Sequence, residues 1–557
     1  MFRKNSGHLQ QSFINGLNEL PEKLQERLED SWSSTFYKNI FVHIEEEAYA
    51  ELYANIASRP NVAVNILVGL EILKAGNGWS DEEMYDNVCY NVQVRHALGL
   101  RNLGEGYFGI RTVYVFRHRL VKHMQQTGEN LFEQTFEQVT KEQLAKFSLK
   151  TKRQRIDSTQ IASNIREMSR LQLLVEILQR VYRMLNEGEQ IHWESDFAAY
   201  LKGTSGQYTW RLKGKEAHRP HLEGIGKLMS RLVEELADDY QDHESYQILL
   251  RVFKEHFNQS DTGVDPKDGS DLSASNLQSP DDLEASYRSK RGESYIGYVA
   301  NITETSAEEN DFQLILKVQV EPNTTDDAKM LAEIVPDLKN KHGLELMDAD
   351  GAYGSPDVDQ VMAVHKVELC QTALRGRQPK EGSFNLADCK LELNPDNRTL
   401  LNVTAPDGTK LKVEQGRKEH RYILRSPQAV TASSSSYYIS KQDVAVALRR
   451  QRSKEPNPDG KNPRAAVEAT IGAIKRPFGN DKLPVRGKFR MASMVTGAAA
   501  MVNLRRIQRF QVEKRKKALN LALKNGSQNP LFLFFNHILA FFLNQFYPLT
   551  RFSIFYF

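Results

Sequence analysis

Three acidic residues occur in settings that suit metal-dependent chemistry. Asp157 lies in RIDSTQ and Asp350 in LMDADGAYGSP, each near the end of a predicted strand, whereas Glu468 lies in RAAVEATIGAIKR, a predicted helix. Two strand-end carboxylates that converge with one helical carboxylate suit two divalent metal ions, which clamp the attacking and leaving oxygens of a phosphodiester. Because Mg²⁺ is a hard ion that keeps water and phosphate oxygens as ligands, three carboxylates are enough.

Basic residues surround the glutamate at helical spacing. Arg464 is four residues before Glu468, and Lys475, followed by Arg476, is seven residues after it. On a helix, Arg464 and Glu468 share a face, and Lys475 lies two turns further along nearly the same face. The sequence therefore predicts a helix that carries a metal-ligand carboxylate flanked by cations that can hold DNA phosphates.

Each acidic residue also has a purely structural interpretation. Asp157 precedes Ser158 and could have the purely structural role of capping a turn or a helix. Glu468 could have the purely structural role of forming a solvated ion pair with Arg464. Asp348 competes with Asp350, because it lies two residues earlier on the same face of the strand.

The other candidates have alternatives as well. Tyr353 could pack in the core, and Lys475 and Arg476 could be surface charges. Asp326 and Asp327 stand where a helix is predicted to begin, which favours a structural role for both.

Charge and composition narrow the class of protein. The chain has 557 residues, which corresponds to about three or four domains or to one core with large insertions. Residues 441–520 contain 20 Lys and Arg against 6 Asp and Glu, although the net charge of the whole chain is only +3. A surplus of this kind in one segment indicates binding to a polyanion, and nucleic acid fits best.

Three cysteines exclude a disulfide framework, and the sequence lacks the motifs of metalloproteases, of G-x-S-x-G hydrolases and of P-loop ATPases.

The elements that must position these residues follow from periodicity and turn residues. Residues 31–150 have a helical pattern, with Ser80 and Glu83 as a capping box; this layout suits either a DNA-binding helix-turn-helix or an ordinary helical domain. Residues 153–162 predict a strand, 165–258 predict helices, and 258–285 predict an exposed linker. The apolar face of the first helix after that strand comprises Leu171, Leu174, Ile177, Leu178 and Val181.

The second half of the chain begins with β character. YIGYVANITET and DFQLILKVQV predict two strands, TDDAKMLAEIVPDLKNKHG a helix, and LELMDAD a short strand. Residues 368–428 predict a small β-rich segment, and residues 441–523 predict basic helices. Nine of the 26 phenylalanines fall in residues 531–557, a tail too short and too interrupted to predict a membrane span.

Taken in order, these motifs resemble the DDE transposases of bacterial insertion sequences, in the branch marked by D-x-x-Y and Y-x2-R-x3-E-x6-K. The chain has Asp350-x-x-Tyr353 and Arg464-x3-Glu468-x6-Lys475, with Lys461 in the place of the family's tyrosine. The likeness covers roughly residues 30–510. Asp157 and Asp350 are 193 residues apart, and Asp350 and Glu468 are 118 apart, so the resemblance implies two insertions.

The resemblance implies an α/β fold with an RNase H-like catalytic core. Around it we expect an N-terminal helical, DNA-binding domain, a helical insertion with a linker, and a β-rich insertion. The core would be completed by a basic helical region, and a Phe-rich tail would follow. The expected segments are 1–150, 151–164, 165–285, 286–365, 366–440, 441–523 and 524–557.

The resemblance also implies an activity and partners. Asp157, Asp350 and Glu468 would bind two Mg²⁺ or Mn²⁺ ions for hydrolysis at the element ends and for strand transfer into target DNA. Tyr353, Arg464, Lys475 and Arg476 would contact DNA. The expected partners are double-stranded DNA, as terminal inverted repeats and as target, and a second copy of the chain in a dimer on DNA.

Two other functions stay open. The chain could be an inactive or repurposed DNA-binding protein derived from a transposase, or a metal-dependent nuclease that does not transpose. For all three functions the expected location is the bacterial cytoplasm, at the nucleoid, with no membrane span.

Overall fold

The chain up to residue 150 is helical in the computed structural model, as its sequence pattern predicts. The structure describes residues 1–9, 16–54, 60–102, 104–212, 218–260, 263–290, 292–371, 384–394, 399–418, 421–425, 436–454 and 463–524. The first helices are α1 (Glu22–Glu29), α2 (Trp32–Asn39), α3 (Val64–Asn77), α4 (Asp81–Tyr90), α5 (Val92–Ala97), α6 (Arg111–Thr127) and α7 (Leu131–Phe147). The predicted capping box is confirmed at α4, where Ser80 and Glu83 cap each other's backbone N–H.

The predicted strand at 153–162 is confirmed as β1 (Arg153–Ala162), and a helical segment follows it. That segment consists of α8 (Arg170–Met184), α9 (Glu187–Phe197), α10 (Ser205–Trp210), α11 (His218–Glu235), α12 (Ala237–Tyr240) and α13 (Glu244–His256). A short hairpin, β2 (Phe257–Ser260) and β3 (Gly263–Pro266), closes it. All five residues predicted for the apolar face of α8 are buried in a core formed by these helices.

The next elements build the centre of the molecule. They are β4 (Ser286–Lys290), β5 (Glu293–Thr305), β6 (Ile315–Pro322), α14 (Asp327–His342), β7 (Leu346–Ala349), α15 (Pro356–Val364) and β8 (Glu368–Gln371). Together with β1 they form a six-stranded mixed sheet in the order β4-β5-β1-β7-β8, with β6 also paired to β5. β1, β7 and β8 are parallel to one another, whereas β5 is antiparallel to β1, β4 and β6.

A second, fully antiparallel sheet follows in the sequence. Its strands are β9 (Lys390–Leu393), β10 (Leu400–Thr404), β11 (Lys410–Gln415), β12 (Arg421–Arg425) and β13 (Ser436–Ser440). It has its own apolar core, which includes Val403, Leu411 and Leu424. The expected β-rich segment is therefore present, but β8, which falls inside the range 366–440, belongs to the central sheet instead.

The described chain ends in three basic helices, α16 (Lys441–Lys454), α17 (Pro463–Lys475) and α18 (Lys488–Lys524). α14 covers one face of the central sheet, with Leu331 and Val335 in contact with the core around Ile156 and Met347. α17 and the start of α18 cover the other face, together with residues of the N-terminal helices. The protein is thus a mixed α/β protein whose central sheet lies between helices.

Two observations concern the ends of the molecule. The chain divides into two compact units, Met1–Leu504 and Arg505–Phe557, of which the second is described only as the remainder of α18. The Phe-rich tail at 531–557 lies outside the described residues. Among the helices that the structure describes, none combines the length and the apolar character needed to cross a membrane.

The structure corrects the expected exposed linker at 258–285 for residues 276–285, whereas most described residues from 258 to 275 are exposed as predicted. Leu277 is buried in the core of the helical segment, and Asp282 is 2% exposed. The Asp282 carboxylate accepts hydrogen bonds from the Ser163 hydroxyl, the Tyr298 hydroxyl and the Gly487 N–H, at 2.5, 2.6 and 2.9 Å. Composition predicted solvent exposure because Asp and Ser are usually exposed, but hydrogen bonding lets this aspartate join the helical segment to the sheet.

Candidate active site

The two candidate aspartates lie on neighbouring parallel strands at the centre of the sheet. The register pairs Arg153 with Leu346 and Arg155 with Asp348. β7 ends at Ala349, but the backbone of Asp350 remains extended. Continuing the register by two residues therefore brings Asp157 and Asp350 to the same level of strands that are about 4.8 Å apart, with both side chains on the same face.

Local hydrogen bonds orient both carboxylates. Asp157 is 8% exposed, and its Oδ1 accepts the Ser158 N–H at 2.9 Å. Asp350 is partly exposed and caps a short turn of 3₁₀-helix, where its Oδ1 accepts the Ala352 N–H at 2.7 Å. Asp157 thus lies in the middle of β1 and not near its end as predicted, whereas Asp350 directly follows the end of β7.

The third candidate, Glu468, is exposed on α17, which packs against β1 and β7. Two residues further along this helix, the buried Thr470 donates its hydroxyl to Glu304 on β5, with distances of 3.0 and 2.9 Å to the two carboxylate oxygens. The Arg155 guanidinium donates to the same carboxylate at 2.7 Å. Because Arg155 and Asp157 share a face of β1, this contact holds α17 over the face that carries Asp157.

The implied metal ions fit this arrangement only in part. The register brings Asp157 and Asp350 to the same level of neighbouring strands, and carboxylate oxygens are the ligands that Mg²⁺ and Mn²⁺ prefer. In the part of the chain that the structure describes, however, no three His, Cys, Asp or Glu side chains form a group that could hold a metal ion. Glu468 therefore lies over the correct face without completing a three-carboxylate site.

The predicted DNA-binding cations have different environments. The Lys475 ammonium donates to the Thr159 hydroxyl at 3.2 Å and forms an ion pair with Asp481 at 2.5 Å, so this lysine joins the end of α17 to β1. Arg476 is exposed. The side chain of Arg464 and the whole of Lys461 lie outside the described residues.

Tyr353 lies in the core next to the aspartates. It is fully buried, and its hydroxyl donates to Asn301 Oδ1 at 2.7 Å. Burial raises the pKa of Tyr353 well above its usual value, and the negative charges of Asp327, Asp157 and Asp350 raise it further. In this conformation the side chain has the environment of a core residue that supports the Asp350 turn.

Asp348 has the environment of a structural residue. It is 4% exposed, and it pairs with the Arg153 guanidinium at 2.9 Å and 3.3 Å. Asp326 is confirmed as the N-cap of α14, where it accepts the Ala328 N–H at 2.9 Å. These contacts give both Asp348 and Asp326 a structural role.

The sequence analysis missed the Glu304–Thr470 contact. The sequence offered little signal, because Glu304 stands between Thr303 and Thr305 near the end of β5, and only its full burial shows that the carboxylate requires a partner. Its partner on α17 is 166 residues away, and local patterns do not connect the two.

Comparisons with protein-family models, curated proteins and solved structures found no match for this chain.

Proposed function

We propose that this protein is a DDE transposase that cleaves DNA at insertion-sequence ends and joins the freed ends to target DNA. The observation that carries the proposal is the register of β1 and β7, which aligns Asp157 with Asp350 although they are 193 residues apart in the sequence. Their positions on a central sheet, with the glutamate's helix packed over the same face, support an RNase H-like core with helical and β-rich insertions.

The proposed cofactor is Mg²⁺ or Mn²⁺, as two ions held by Asp157, Asp350 and Glu468. When bound, such ions lower the pKa of a water or hydroxyl nucleophile and stabilise charge on the phosphodiester. The chain's own contribution is to fix the two aspartates through the Ser158 and Ala352 N–H groups. Binding of the full set requires Glu468, which is exposed on α17, to approach the two aspartates.

The charge distribution supports DNA as the substrate. The surplus of 14 positive charges in residues 441–520 is in the same segment as Glu468, so phosphates drawn to it are brought to the proposed site. Arg476 offers an exposed guanidinium at the end of the same helix. Recognition of the terminal inverted repeats is assigned to the N-terminal helices, pairing of two ends to a dimer on DNA, and the site of action to the nucleoid in the cytoplasm.

A second candidate function is a DNA-binding protein without catalysis, derived from a transposase. The absence of a three-carboxylate group among the described residues favours it. A nuclease without strand transfer is the third candidate, because the same carboxylates serve hydrolysis alone.

The test uses DNA from the ends of the gene's own element, with Mg²⁺ or Mn²⁺. We expect cleavage and joining that disappear with EDTA and fall at least a thousandfold in Asp157→Asn and in Asp350→Asn. The matched control is Asp348→Asn, which makes the same chemical change two residues from Asp350. We expect it to keep cleavage but to lower the free energy of unfolding by about 3 kcal/mol, because it breaks a largely buried ion pair with Arg153.

The three functions give different results in this experiment. Tight DNA binding without cleavage by the unmodified protein would support the DNA-binding relic. Cleavage without joining would support the nuclease. Cleavage that survives Asp157→Asn would show that these aspartates are not the catalytic residues.

A further inference from the structure

A buried arginine with unused hydrogen-bond donors lies beside the turn that carries Asp350. Arg449, on α16, is 9% exposed. Its Nη1 is 3.6 Å from Asp359 Oδ1, which is close enough for an ion pair but too long for a hydrogen bond. Its Nε and Nη1 atoms are both buried and have no hydrogen-bond partner among the described residues.

A glutamine side chain from the end of β8 reaches the same turn. Gln371, at the end of β8, is 4% exposed, and its Nε2 donates to the backbone carbonyl of Asp350 at 3.0 Å. Its Oε1 is buried and finds no hydrogen-bond donor in the described part of the chain. Gln371 thus contacts the Asp350 turn directly and still has an unused polar atom.

The two side chains converge on Gly354, at the end of the Asp350 turn. A Cβ atom on this residue would lie 2.6 Å from Arg449 Nη1, and 2.9 Å and 3.0 Å from the amide nitrogen and oxygen of Gln371. Any side chain here would displace the guanidinium. The glycine therefore lets a positive charge approach the backbone of this turn.

This arrangement is costly without a ligand. Two unpaired donors on a buried guanidinium forfeit hydrogen bonds to water, and proteins rarely leave such groups unsatisfied unless a ligand or an ion completes them. An anion would satisfy the donors and offset the cost. The guanidinium fork suits the oxygens of a phosphate, to which it can donate two parallel hydrogen bonds.

We propose that Arg449, Gln371 and Gly354 form a phosphate-binding pocket for a DNA phosphodiester next to the one that Asp157 and Asp350 act on. This inference rests on the proposed function for the identity of the ligand. Arg449 contacts the phosphate after its guanidinium turns outward from Gly354. Through its hydrogen bond to the Asp350 carbonyl, Gln371 then joins the occupied pocket to the turn that holds the proposed catalytic carboxylate.

The experiment compares the full-length protein with Arg449→Gln, Gly354→Ala and Lys227→Gln. Lys227→Gln is the matched control, because it removes one positive charge from an exposed position on α11, outside the basic segment 441–520. Two probes are used: inorganic phosphate, read as a shift in melting temperature at constant ionic strength, and a short linear DNA duplex, read as affinity over a range of salt concentrations.

We expect phosphate to raise the melting temperature of the unmodified protein and of Lys227→Gln, but not that of Arg449→Gln. For the duplex, Arg449→Gln should lose affinity about tenfold or more, the cost of a charged hydrogen bond. The slope of log K against log salt should become shallower by about 0.9, which corresponds to one phosphate contact fewer. Gly354→Ala should not lose affinity, because its methyl group moves the guanidinium outward from the turn and leaves the charge unchanged.

The outcomes separate this inference from the proposed function. If Arg449→Gln binds the duplex with unchanged affinity and salt slope, and phosphate has no effect on either protein, the pocket is disproved while DNA binding stands. If phosphate stabilises only proteins with an intact pocket but the unmodified protein does not bind the duplex, the anion site stands and the transposase is disproved. If neither probe binds the unmodified protein, both proposals fail.

Discussion

At the scale of single residues, the environment of the Tyr353 hydroxyl distinguishes two roles for this side chain, which are to support the Asp350 turn and to contact the DNA. It donates to Asn301 Oδ1, and the Asn301 amide in turn donates to Gln319 at 2.9 Å on the neighbouring strand. This chain of hydrogen bonds crosses from the Asp350 turn to β5 and β6. A side chain held in this way fixes the turn and has no atom exposed to a phosphate.

Replacing the tyrosine tests that role. We expect Tyr353→Phe to lower the free energy of unfolding by about 1–3 kcal/mol, because the Asn301 oxygen is left buried without its donor. Denaturation by urea measures this change, and DNA affinity should stay the same. A loss of DNA affinity at unchanged stability would instead support the DNA contact that the D-x-x-Y resemblance implies.

At the scale of elements, the position of α17 depends on few polar contacts with the sheet. Thr470 bonds to Glu304, and Lys475 bonds to Thr159 and Asp481. The contacts with Glu304 on β5 and with Thr159 on β1 lie on the face of the sheet that carries Asp157. Besides the apolar packing of α17, these polar contacts hold the helix at two points, and Glu468 lies just before the first.

We expect Thr470→Val to lower the free energy of unfolding by about 1–3 kcal/mol, because Glu304 loses a hydrogen bond in the core. Cleavage should fall more than DNA binding, since Glu468 loses its support while the basic residues remain. Thr470→Ser is the control, because it keeps the hydroxyl and should behave like the unmodified protein. Equal activity of the valine and serine variants would show that this contact does not position the glutamate.

The helical segment contains a second element-scale feature, the buried His256 at the end of α13. It is 4% exposed, and neither ring nitrogen has a hydrogen-bond partner among the described residues. Burial, together with the positive charges of Arg170 and Lys267, lowers the pKa of His256 from 6.5 to about 4. The folded protein therefore holds this histidine neutral where the unfolded chain would already be protonated.

The sign of the pH effect follows from this difference. Below pH 6.5 His256 is protonated in the unfolded state but stays neutral in the folded state. The free energy of unfolding therefore falls as the pH decreases from about 6.5 to about 4. The full loss is about 3 kcal/mol. We expect His256→Phe to remove this part of the pH dependence, as measured by urea denaturation at several pH values. An unchanged pH profile would mean that His256 titrates normally.

At the scale of the whole molecule, residues 441–520 form a basic segment, whereas the rest of the chain is net acidic. Within that segment, Lys516 and Lys517 are exposed on the described part of α18. Lysines that touch phosphates release counterions when DNA binds, which makes the affinity depend on salt. Exposed lysines that lie further from the DNA than the screening distance should contribute little to the affinity, because salt screens their charges.

We expect duplex affinity to fall by about a thousandfold between about 50 mM and about 200 mM salt. The double variant Lys516→Ala, Lys517→Ala should reduce the salt slope by nearly two, and fluorescence anisotropy measures it. Lys227→Ala, at an exposed site on α11, is the control and should leave the slope unchanged. A slope equally insensitive to all three lysines would place the DNA contacts elsewhere.

The sequence by itself determined the local elements. Stretches rich in β-prone residues correctly predicted β1, β5, β6 and β7, and the four-residue box at Ser80 predicted the start of α4. Helical periodicity predicted the buried face of α8. These predictions succeed because hydrophobic period and capping are local properties of the chain.

Only the tertiary structure decided which distant residues meet. The pairing of β1 with β7 aligned Asp157 with Asp350, and it turned Asp348 into the partner of Arg153. The same three-dimensional packing buried Tyr353 and Asp282, and it placed β8 in the central sheet. Strand register and the partners of buried polar groups depend on contacts across hundreds of residues, and no local pattern in the sequence specifies them.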